Sequence, residues 1–225
     1  MDVYISHALE ACIQSYSSIK QTKGSDLLRR LAEIFAGDRA YLEKVSLMDE
    51  AFDDHPQFEE LREILFDLLL LNFFAADVEK LEGDYLESEE WEDIENQTID
   101  RGTELLNVLL YLRECFDEQI EPQLDDYLRE FLLVDEDEFQ DEHRIYEPVI
   151  AHQILVDSSY EEIAKVARKI APDHELAELF YPMMGFFYEQ HPTTEDLEVY
   201  LHHSANPAFD RAVYQLLVHY SRRYS

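Results

Sequence analysis

The sequence predicts an all-α protein of about eleven helices in a compact multi-helical array without a sheet. Only 5 Gly and 7 Pro occur in 225 residues, so long stretches lack both residues that interrupt helices. Apolar residues recur at helical spacing through most of the chain, and no segment shows the convincing alternation of a half-buried strand. The hydrophobic fraction of 46%, with 14 Tyr and 13 Phe, favours a folded core over a disordered chain.

Three helices are predicted in the first quarter of the chain. Residues 3–19 place Val3, His7 and Ala11 near one stripe, which is the spacing of a helix face. Ser25 is a candidate N-cap for a second helix over 26–36, and Gly37 is placed to end it. A third helix is predicted over 38–51.

The middle of the chain predicts four more segments. Pro56 suits the first turn of a long helix that reaches residue 81, and its most apolar part, 64–76, is expected to be buried nearly all round. Ser88 can cap the next segment. The remaining two predicted helices are an apolar one that begins at Thr98 or Asp100 and runs through 116, with Gly102 in its first turn, and one that Pro122 opens and that ends at 134.

The last part of the chain predicts four or five further helices. An acidic loop at 135–138 precedes a helix over 139–156, in which Pro148 is expected to cause a kink. Each later helix has a capping residue or a proline at its predicted start. These starts are Ser158 or Ser159 for the helix that ends at 170, Pro172 for one kinked near Pro182, Thr194 for 195–203, and Asn206 with Pro207 for the last.

One domain, 1–225, is expected, with a possible soft boundary near 134–138 where the acidic run interrupts the apolar pattern. Cys12 and Cys115 lie far apart within apolar helical patterns, which indicates buried thiols in a reducing compartment. Met1-Asp2-Val3-Tyr4 has no basic or apolar part of a signal peptide. No apolar run is long enough to span a bilayer. We therefore expect a cytoplasmic protein that does not bind membranes.

The charge of the chain is concentrated in its middle. The formal net charge is −33, of which residues 1–46 contribute zero, 47–147 contribute −28 and 148–225 contribute −5. Adaptation to high salt would add carboxylates over the whole surface, so the neutral first segment favours a localised acidic face. Such a face repels nucleic acid and anionic lipid and attracts basic proteins. The alternative is a set of helix faces that are merely solvated.

The predicted binding site is therefore an acidic patch in this middle segment, for which we expect a basic protein surface as the partner. Trp91, Phe139 and Tyr146 are expected to contribute affinity, and the carboxylates long-range attraction. A DNA-mimic inhibitor, an antitoxin or immunity protein, and a chaperone for one client all fit this description. The predicted patch consists of Glu87, Glu89, Glu90, Trp91, Glu92, Asp93 and Glu95 and of Asp135, Glu136, Asp137, Glu138, Asp141 and Glu142.

Motifs for catalysis are absent from the sequence. It contains no G-x-G-x-x-G, Walker-type, G-x-S-x-G or H-E-x-x-H pattern. His202 and His203 are adjacent, so on a helix they point about 100° apart and do not suit one metal ion together with His219. The sequence therefore predicts no catalytic residue, no metal ligand and no cofactor, and favours a non-catalytic protein.

One pattern gives an alternative function. Glu87-x-x-Glu90 is followed by Glu114-x-x-Asp117, and at this spacing both members of a pair face one side of a helix. The two pairs together resemble the carboxylate motif of the MazG-like all-α nucleotide pyrophosphohydrolases. That resemblance implies Mg²⁺ held by the four carboxylates, with a nucleotide's phosphates on the metal. The sequence departs from the family's pattern in that Asp117 ends an apolar helix, whereas the family's second pair lies early in one.

Overall fold

Helices account for nearly all regular structure in the computed structural model, which describes residues 1–76, 87–131 and 136–222. For Ala76, Phe131 and residues 136–142 it describes the backbone only. Within these ranges it contains twelve α-helices and no strand, which confirms the all-α prediction. The helices are α1 (Val3–Lys20), α2 (Ser25–Ala36), α3 (Tyr41–Asp53), α4 (Arg62–Ala76), α5 (Glu89–Thr98), α6 (Leu105–Glu118), α7 (Leu124–Phe131), α8 (Glu136–Ile150), α9 (Tyr160–Ala167), α10 (Phe180–Tyr188), α11 (Thr194–His203) and α12 (Pro207–Ser221).

The first and last helices of the chain pack against each other along their lengths. The buried stripe of α1 runs from Ile5 to Tyr16 at the spacing of one helix face. Helix α12 is buried on most sides, because α6, α10 and α11 pack on it as well as α1. Buried apolar side chains from Ile5 to Tyr220 form one continuous cluster. The soft boundary near 134–138 stays a prediction, and residues 132–135 lie outside the described ranges.

Helix α4 is the central helix of the N-terminal half. Every side chain from Ile64 to Asn72 is buried, which confirms the prediction of a helix buried nearly all round. It packs on α1, α3 and α6. Two polar residues interrupt its apolar surface, and both have partners: Asn72 donates a 3.2 Å hydrogen bond to the Phe35 carbonyl, and Asp67 binds a loop described below. Buried polar groups need such partners, since leaving one unpaired lowers the stability of the fold by about 1–3 kcal/mol.

Four buried tyrosines hold together the C-terminal helices. The Tyr160 and Tyr214 hydroxyls lie 2.9 Å apart, and Tyr181 donates a 2.7 Å hydrogen bond to the Tyr200 carbonyl. The rings of Tyr181 and Tyr200 are stacked with centroids 4.6 Å apart. A side chain at Gly185 would lie 2.8 Å from the Tyr200 ring, so the close approach of α10 and α11 requires glycine there. These contacts fix α9 to α12 relative to one another.

Several predicted helix starts are confirmed. Ser88 caps α5 by accepting a 3.2 Å hydrogen bond from the Trp91 amide, and Ser159, one of the two candidates, caps α9. Asn206 and Pro207 begin α12 as predicted. Thr194 was the wrong choice for α11, because Thr193 is the N-cap and forms a reciprocal capping box with Asp196.

Other predicted boundaries are wrong where tertiary contacts or short 3₁₀ segments intervene. Pro56 begins a 3₁₀ segment, Pro56–Leu61, rather than the long helix, and the predicted end of that helix at 81 lies outside the described residues. Gly102 lies in the loop before α6 with φ of 87°, a conformation that favours glycine, so it is not in a helical turn. Five further starts differ: α2 begins at Ser25 itself, α3 at Tyr41, α6 at Leu105, α7 at Leu124 and α8 at Glu136, within the predicted acidic loop.

Two helix boundaries in the C-terminal half also differ from the prediction, while the kink at Pro148 stays a prediction. Pro148 lies near the end of α8, which stops at Ile150 and is followed by a 3₁₀ segment, Gln153–Asp157. Residues 172–179 form turns, and α10 starts only at Phe180, so Pro182 lies in its first turn. Proline is tolerated in a first turn because its missing N–H has no helical acceptor there.

Both cysteines are buried and unbonded, as predicted. Burial raises the pKa of both thiols, most strongly that of Cys12, so neither is activated as a thiolate. None of the helices in the described ranges has the length and apolarity to cross a bilayer.

Candidate functional site: an acidic helix and an acidic groove

Helix α5 carries the first half of the predicted patch. Ile94 is buried, and the half-buried Trp91 packs its ring on Phe74 with centroids 5.4 Å apart. These two positions, three apart, define the inward face of the helix. The six acidic side chains of the predicted patch in this region are all exposed, namely Glu87, which precedes the N-cap, and Glu89, Glu90, Glu92, Asp93 and Glu95 of the helix.

Among the described residues, no ion pair compensates the six carboxylates at this helix, which we call the acidic helix. No Lys, Arg or His of the described ranges forms an ion pair with any of the six. Asp93 accepts a 2.9 Å hydrogen bond from Gln97, which is neutral. Elsewhere on the surface, Arg29, Arg62 and Arg129 each pair with acidic neighbours. The acidic helix is therefore a region of uncompensated negative charge.

The second half of the predicted patch cannot be joined to the first. Asp135 lies outside the described residues, and Glu136, Asp137, Glu138, Asp141 and Glu142 lie in α8 at positions where the backbone alone is described. The same holds for Phe139. That both halves share one face therefore stays a prediction. The prediction that Tyr146 contributes affinity for a partner is wrong, because its ring is fully buried and its hydroxyl contacts Tyr127 and Glu104.

A second acidic surface, which sequence reasoning missed, is a groove between the start of α4 and the turns that precede α10. It encloses about 430 Å³. The α4 side contributes Glu59, Glu60 and Glu63, and the turns contribute Asp173, Glu175 and Glu178. Pro172, His174, Ala177, Leu179 and Phe209 line it too, with Ile64 and Thr103 on the α4 side. We call this set of residues the acidic groove.

The two walls of the acidic groove differ in how their charge is compensated. On the α4 wall every carboxylate has a cation: Glu59 pairs with Arg62, Glu60 with Lys20 and Glu63 with Arg101. On the opposite wall, Asp173 and Glu178 pair with no Lys or Arg of the described residues, and Glu175 is 4.0 Å from His174. Within the described residues, the second wall therefore carries carboxylates that no Lys or Arg compensates.

Glu63 is held in its wall by a network that also fixes the loop before α6. Arg101 donates from Nε to Glu63 at 3.0 Å and from its terminal nitrogens to Asp49 at 3.1 Å. The Gly102 amide donates to Glu63 at 2.8 Å. The Arg101 guanidinium also lies 4.8 Å from the centre of the Phe66 ring, a cation–π contact.

Asp67 extends this network into the core. It lies one helical turn after Glu63, on the same face of α4, and accepts hydrogen bonds from the amide and the hydroxyl of Thr103. Burial raises the pKa of Asp67 to about 8, and the negative charges of Glu63 and Glu104 act in the same direction. An aspartate inside the apolar run was the one sequence signal for this network. A buried acid of this kind fixes the loop geometry, and Asp67 does not itself line the acidic groove.

The carboxylates of the MazG-like motif are not brought together. Glu87 and Glu90 lie exposed at the start of α5, whereas Asp117 in α6 accepts a 3.0 Å hydrogen bond from Arg113. Burial, then Glu130 and Glu118, raise the pKa of Glu114, which has neither α5 carboxylate among its charged neighbours. The described residues contain no group of three or more His, Cys, Asp or Glu side chains placed to hold a metal ion.

Comparison of the chain with protein-family models, curated proteins and solved structures finds no match. No relative therefore assigns a function to the acidic helix or to the acidic groove.

Proposed function

We propose that the protein is a non-catalytic interaction protein that binds a basic surface of another protein. The observation that carries this proposal is the acidic helix, whose six exposed carboxylates have no cation among the described residues. Uncompensated charge of one sign destabilises a monomer through self-repulsion. A basic partner removes that repulsion and gains attraction that steers its approach.

The acidic groove supports the same function. Carboxylates from two distant parts of the sequence converge there, and those of one wall have no Lys or Arg partner among the described residues. Concave surfaces lined by one sign of charge focus the electric field and raise the local concentration of opposite charges. A basic segment of the partner fits the groove, while the acidic helix contributes attraction over a longer range. The basic surface belongs to a DNA-binding protein, a basic toxin or a chaperone client.

The test is capture of partners from the native host with a charge-neutralised protein. The variant carries Glu89→Gln, Glu92→Gln, Asp93→Asn and Glu95→Gln, and the control carries Glu161→Gln, Glu162→Gln, Glu195→Gln and Glu198→Gln. All eight side chains are exposed, so the two variants change net charge equally at different places. We expect the first variant to lose about tenfold in affinity, as four exposed contacts of several tenths of a kcal/mol each would give. The control should bind as the wild type does.

Salt dependence is the second readout of the same experiment. Screening shortens the range of exposed charges from about 10 Å at 0.1 M salt to about 3 Å at 1 M. Capture should therefore weaken steeply over that range. A partner retained equally at both salt concentrations, or retained by the α5 variant as well as by the control, would overturn the proposal. The identity of the captured protein decides among the DNA-mimic, antitoxin and chaperone versions.

A further inference from the structure

A small cavity adjoins the acidic groove and shares Ala177, Glu178 and Phe209 with it. Its volume is about 190 Å³. Pockets for drug-sized ligands and cofactors usually measure about 300–1,000 Å³, so this one accommodates a single side chain and excludes a nucleotide. Its remaining lining residues are Ala164, Ala167, Arg168, Tyr181, His203, Ala205, Asn206 and Asp210.

The walls of the cavity are mostly small and apolar. Ala164 and Ala167 project from α9, Ala177 comes from the turns, and the Phe209 ring belongs to α12. Such walls bury a chain of methylene groups favourably, at about 0.8 kcal/mol for each CH₂. The side chains of these three alanines and of Phe209 offer no hydrogen bond to a polar stem. The occupant therefore has an aliphatic part.

Asp210 supplies the buried polar group of the cavity. Its side chain belongs to the first turn of α12, and the residue is only 5% exposed. Both of its side-chain hydrogen bonds end on one oxygen: Oδ2 accepts from the Ser204 hydroxyl at 2.5 Å and from the Asn206 amide at 3.4 Å. No donor of the described residues reaches Oδ1. Asp210 lines the cavity, and this oxygen keeps its capacity to accept a hydrogen bond.

The acidic side chains that line the cavity favour a positively charged occupant. Glu178, at the junction with the acidic groove, and Asp210 are both acidic, and neither has a Lys or Arg partner in the described chain. Burial raises the pKa of Asp210 to about 6, with Glu178 acting in the same direction. The charged form of this carboxylate is therefore less stable in the cavity wall than it would be in water. Arg168 also lines the cavity, and its guanidinium donates to the His203 carbonyl at 2.6 Å. His203 and Tyr181 are the other titratable groups that line the cavity, and the Tyr181 hydroxyl donates to the Tyr200 carbonyl.

We infer that this cavity receives a lysine side chain of the partner protein, with its methylene stem along Ala164, Ala167 and Phe209 and its ammonium group on Asp210 Oδ1. The inference rests on the proposed function, since the acidic groove would guide a basic segment to the entrance at Glu178. Lysine fits better than arginine because a single free oxygen suits a compact point charge. A guanidinium instead prefers two oxygens in a bidentate arrangement.

The experiment titrates the full-length protein with blocked pentapeptides that carry one central residue between glycines. The central residues are lysine, norleucine, Nε-acetyllysine and arginine, and binding is followed by NMR at the amides of Ala167, Ala177 and Asp210. Norleucine keeps most of the stem without the charge, and acetyllysine keeps the length without the charge. We expect the lysine peptide to bind at least about tenfold more tightly than the other three, as one charge-assisted hydrogen bond would give.

Three variants locate the binding and test the sign of the charges. Ala167→Leu fills the cavity and should weaken the lysine peptide about tenfold or more. Glu178→Gln should weaken it several-fold, whereas Arg168→Gln should strengthen it, because removing a like charge favours the ammonium group. Glu195→Gln, an exposed carboxylate outside the cavity, should change nothing. Ala177→Leu, from the opposite wall, repeats the filling test if Ala167→Leu does not fold.

Several outcomes would overturn the inference. They are equal binding of the norleucine, acetyllysine or arginine peptide, lysine binding that survives both leucine variants, and shifts in the same direction for Glu178→Gln and Arg168→Gln. The experiments distinguish failure of the inference about the cavity from failure of the proposed function. If the peptide does not bind but capture from the host still depends on the α5 carboxylates, the cavity inference falls alone. If the peptide binds but capture ignores α5, the acidic helix is not the partner's surface and the cavity stands.

Discussion

The hydroxyl of Thr103 donates a 2.6 Å hydrogen bond to Oδ2 of Asp67, a residue 36 positions earlier in the chain. This contact ties the loop before α6 to the most buried helix of the N-terminal half, and Glu63, one turn earlier on the same helix face, lines the acidic groove. The buried carboxyl thus supports the wall of a surface that it does not itself reach. Its environment makes the stability of the fold depend on pH.

Replacing Asp67 with Asn should remove part of that pH dependence. Burial raises the pKa of Asp67 to about 8 in the folded protein, whereas an unfolded aspartate has a pKa of about 3.9. Between these values the folded state holds a proton that the unfolded state has released, so the wild type loses stability as pH rises from about 4 to about 8. The slope from this group is at most about 1.4 kcal/mol per pH unit.

Urea unfolding of both proteins at several pH values between 5 and about 9 measures the effect. The free energy of unfolding of Asp67→Asn, taken relative to that of the wild type, should increase with pH. Asp173→Asn, an exposed carboxylate, should stay parallel to the wild type. Parallel curves for Asp67→Asn would show that Asp67 is ionised throughout, contrary to the effect of its burial.

Gly102→Ala should destabilise the protein. The φ of 87° lies in the region that favours glycine, and an added Cβ would lie 2.6 Å from Asp67 Oδ1. Backbone strain of this kind costs about 1–3 kcal/mol, and displacement of Asp67 adds to it. Gly37→Ala is the control, since Gly37 has φ of −63° and would cost less. A thermal unfolding midpoint for Gly102→Ala equal to or above that of Gly37→Ala would contradict this prediction.

The capping box of α11 allows a test with adjacent threonines. Thr193→Ala removes the hydroxyl that accepts from the Asp196 amide at 3.2 Å, and should cost about 1 kcal/mol of stability. Thr194→Ala changes the next residue, which is the first of the helix and forms no capping bond. Chemical denaturation distinguishes the two. Equal losses would mean that Thr193 does not act as the cap.

Charge changes along α5 should have different effects at its two ends. Glu90→Gln removes a carboxylate from the first turn, where the helix dipole favours it. Glu95→Gln removes one from the last turn, where the dipole opposes it and Glu92 repels it. We expect Glu95→Gln to be the more stable by a few tenths of a kcal/mol at low salt. The difference should shrink at 1 M salt, and a reversed order would show that another interaction dominates.

Magnesium-dependent hydrolysis of nucleotides tests the enzyme alternative. We expect no turnover of a panel of nucleoside triphosphates with Mg²⁺, since the four carboxylates of the MazG-like motif do not meet and Asp117 is paired with Arg113. Turnover that Glu90→Gln abolishes and Glu161→Gln leaves unchanged would restore that function. Release of pyrophosphate or phosphate is the measurement.

The sequence alone determined the helical class of the protein, the burial of α4 and several helix starts. These properties follow from local spacing: apolar residues on one or all faces of a helix, Ser88 as a cap, and Pro207 in a first turn. Boundaries failed where the deciding contact was not local. Gly102 belongs to a loop because Glu63 and Asp67 bind that loop, and the sequence showed an aspartate inside an apolar run but not the partner that it binds.

Tertiary structure decided which carboxylates meet. The acidic helix was visible in the sequence because its residues are neighbours in the chain. The acidic groove was not, since Glu63 and Glu178 come together only when the turns before α10 pack beside the start of α4. The free oxygen of Asp210 depends in turn on Ser204 and Asn206 occupying the other one. Charge and periodicity are properties of the sequence, whereas a cavity exists only once distant segments pack around it.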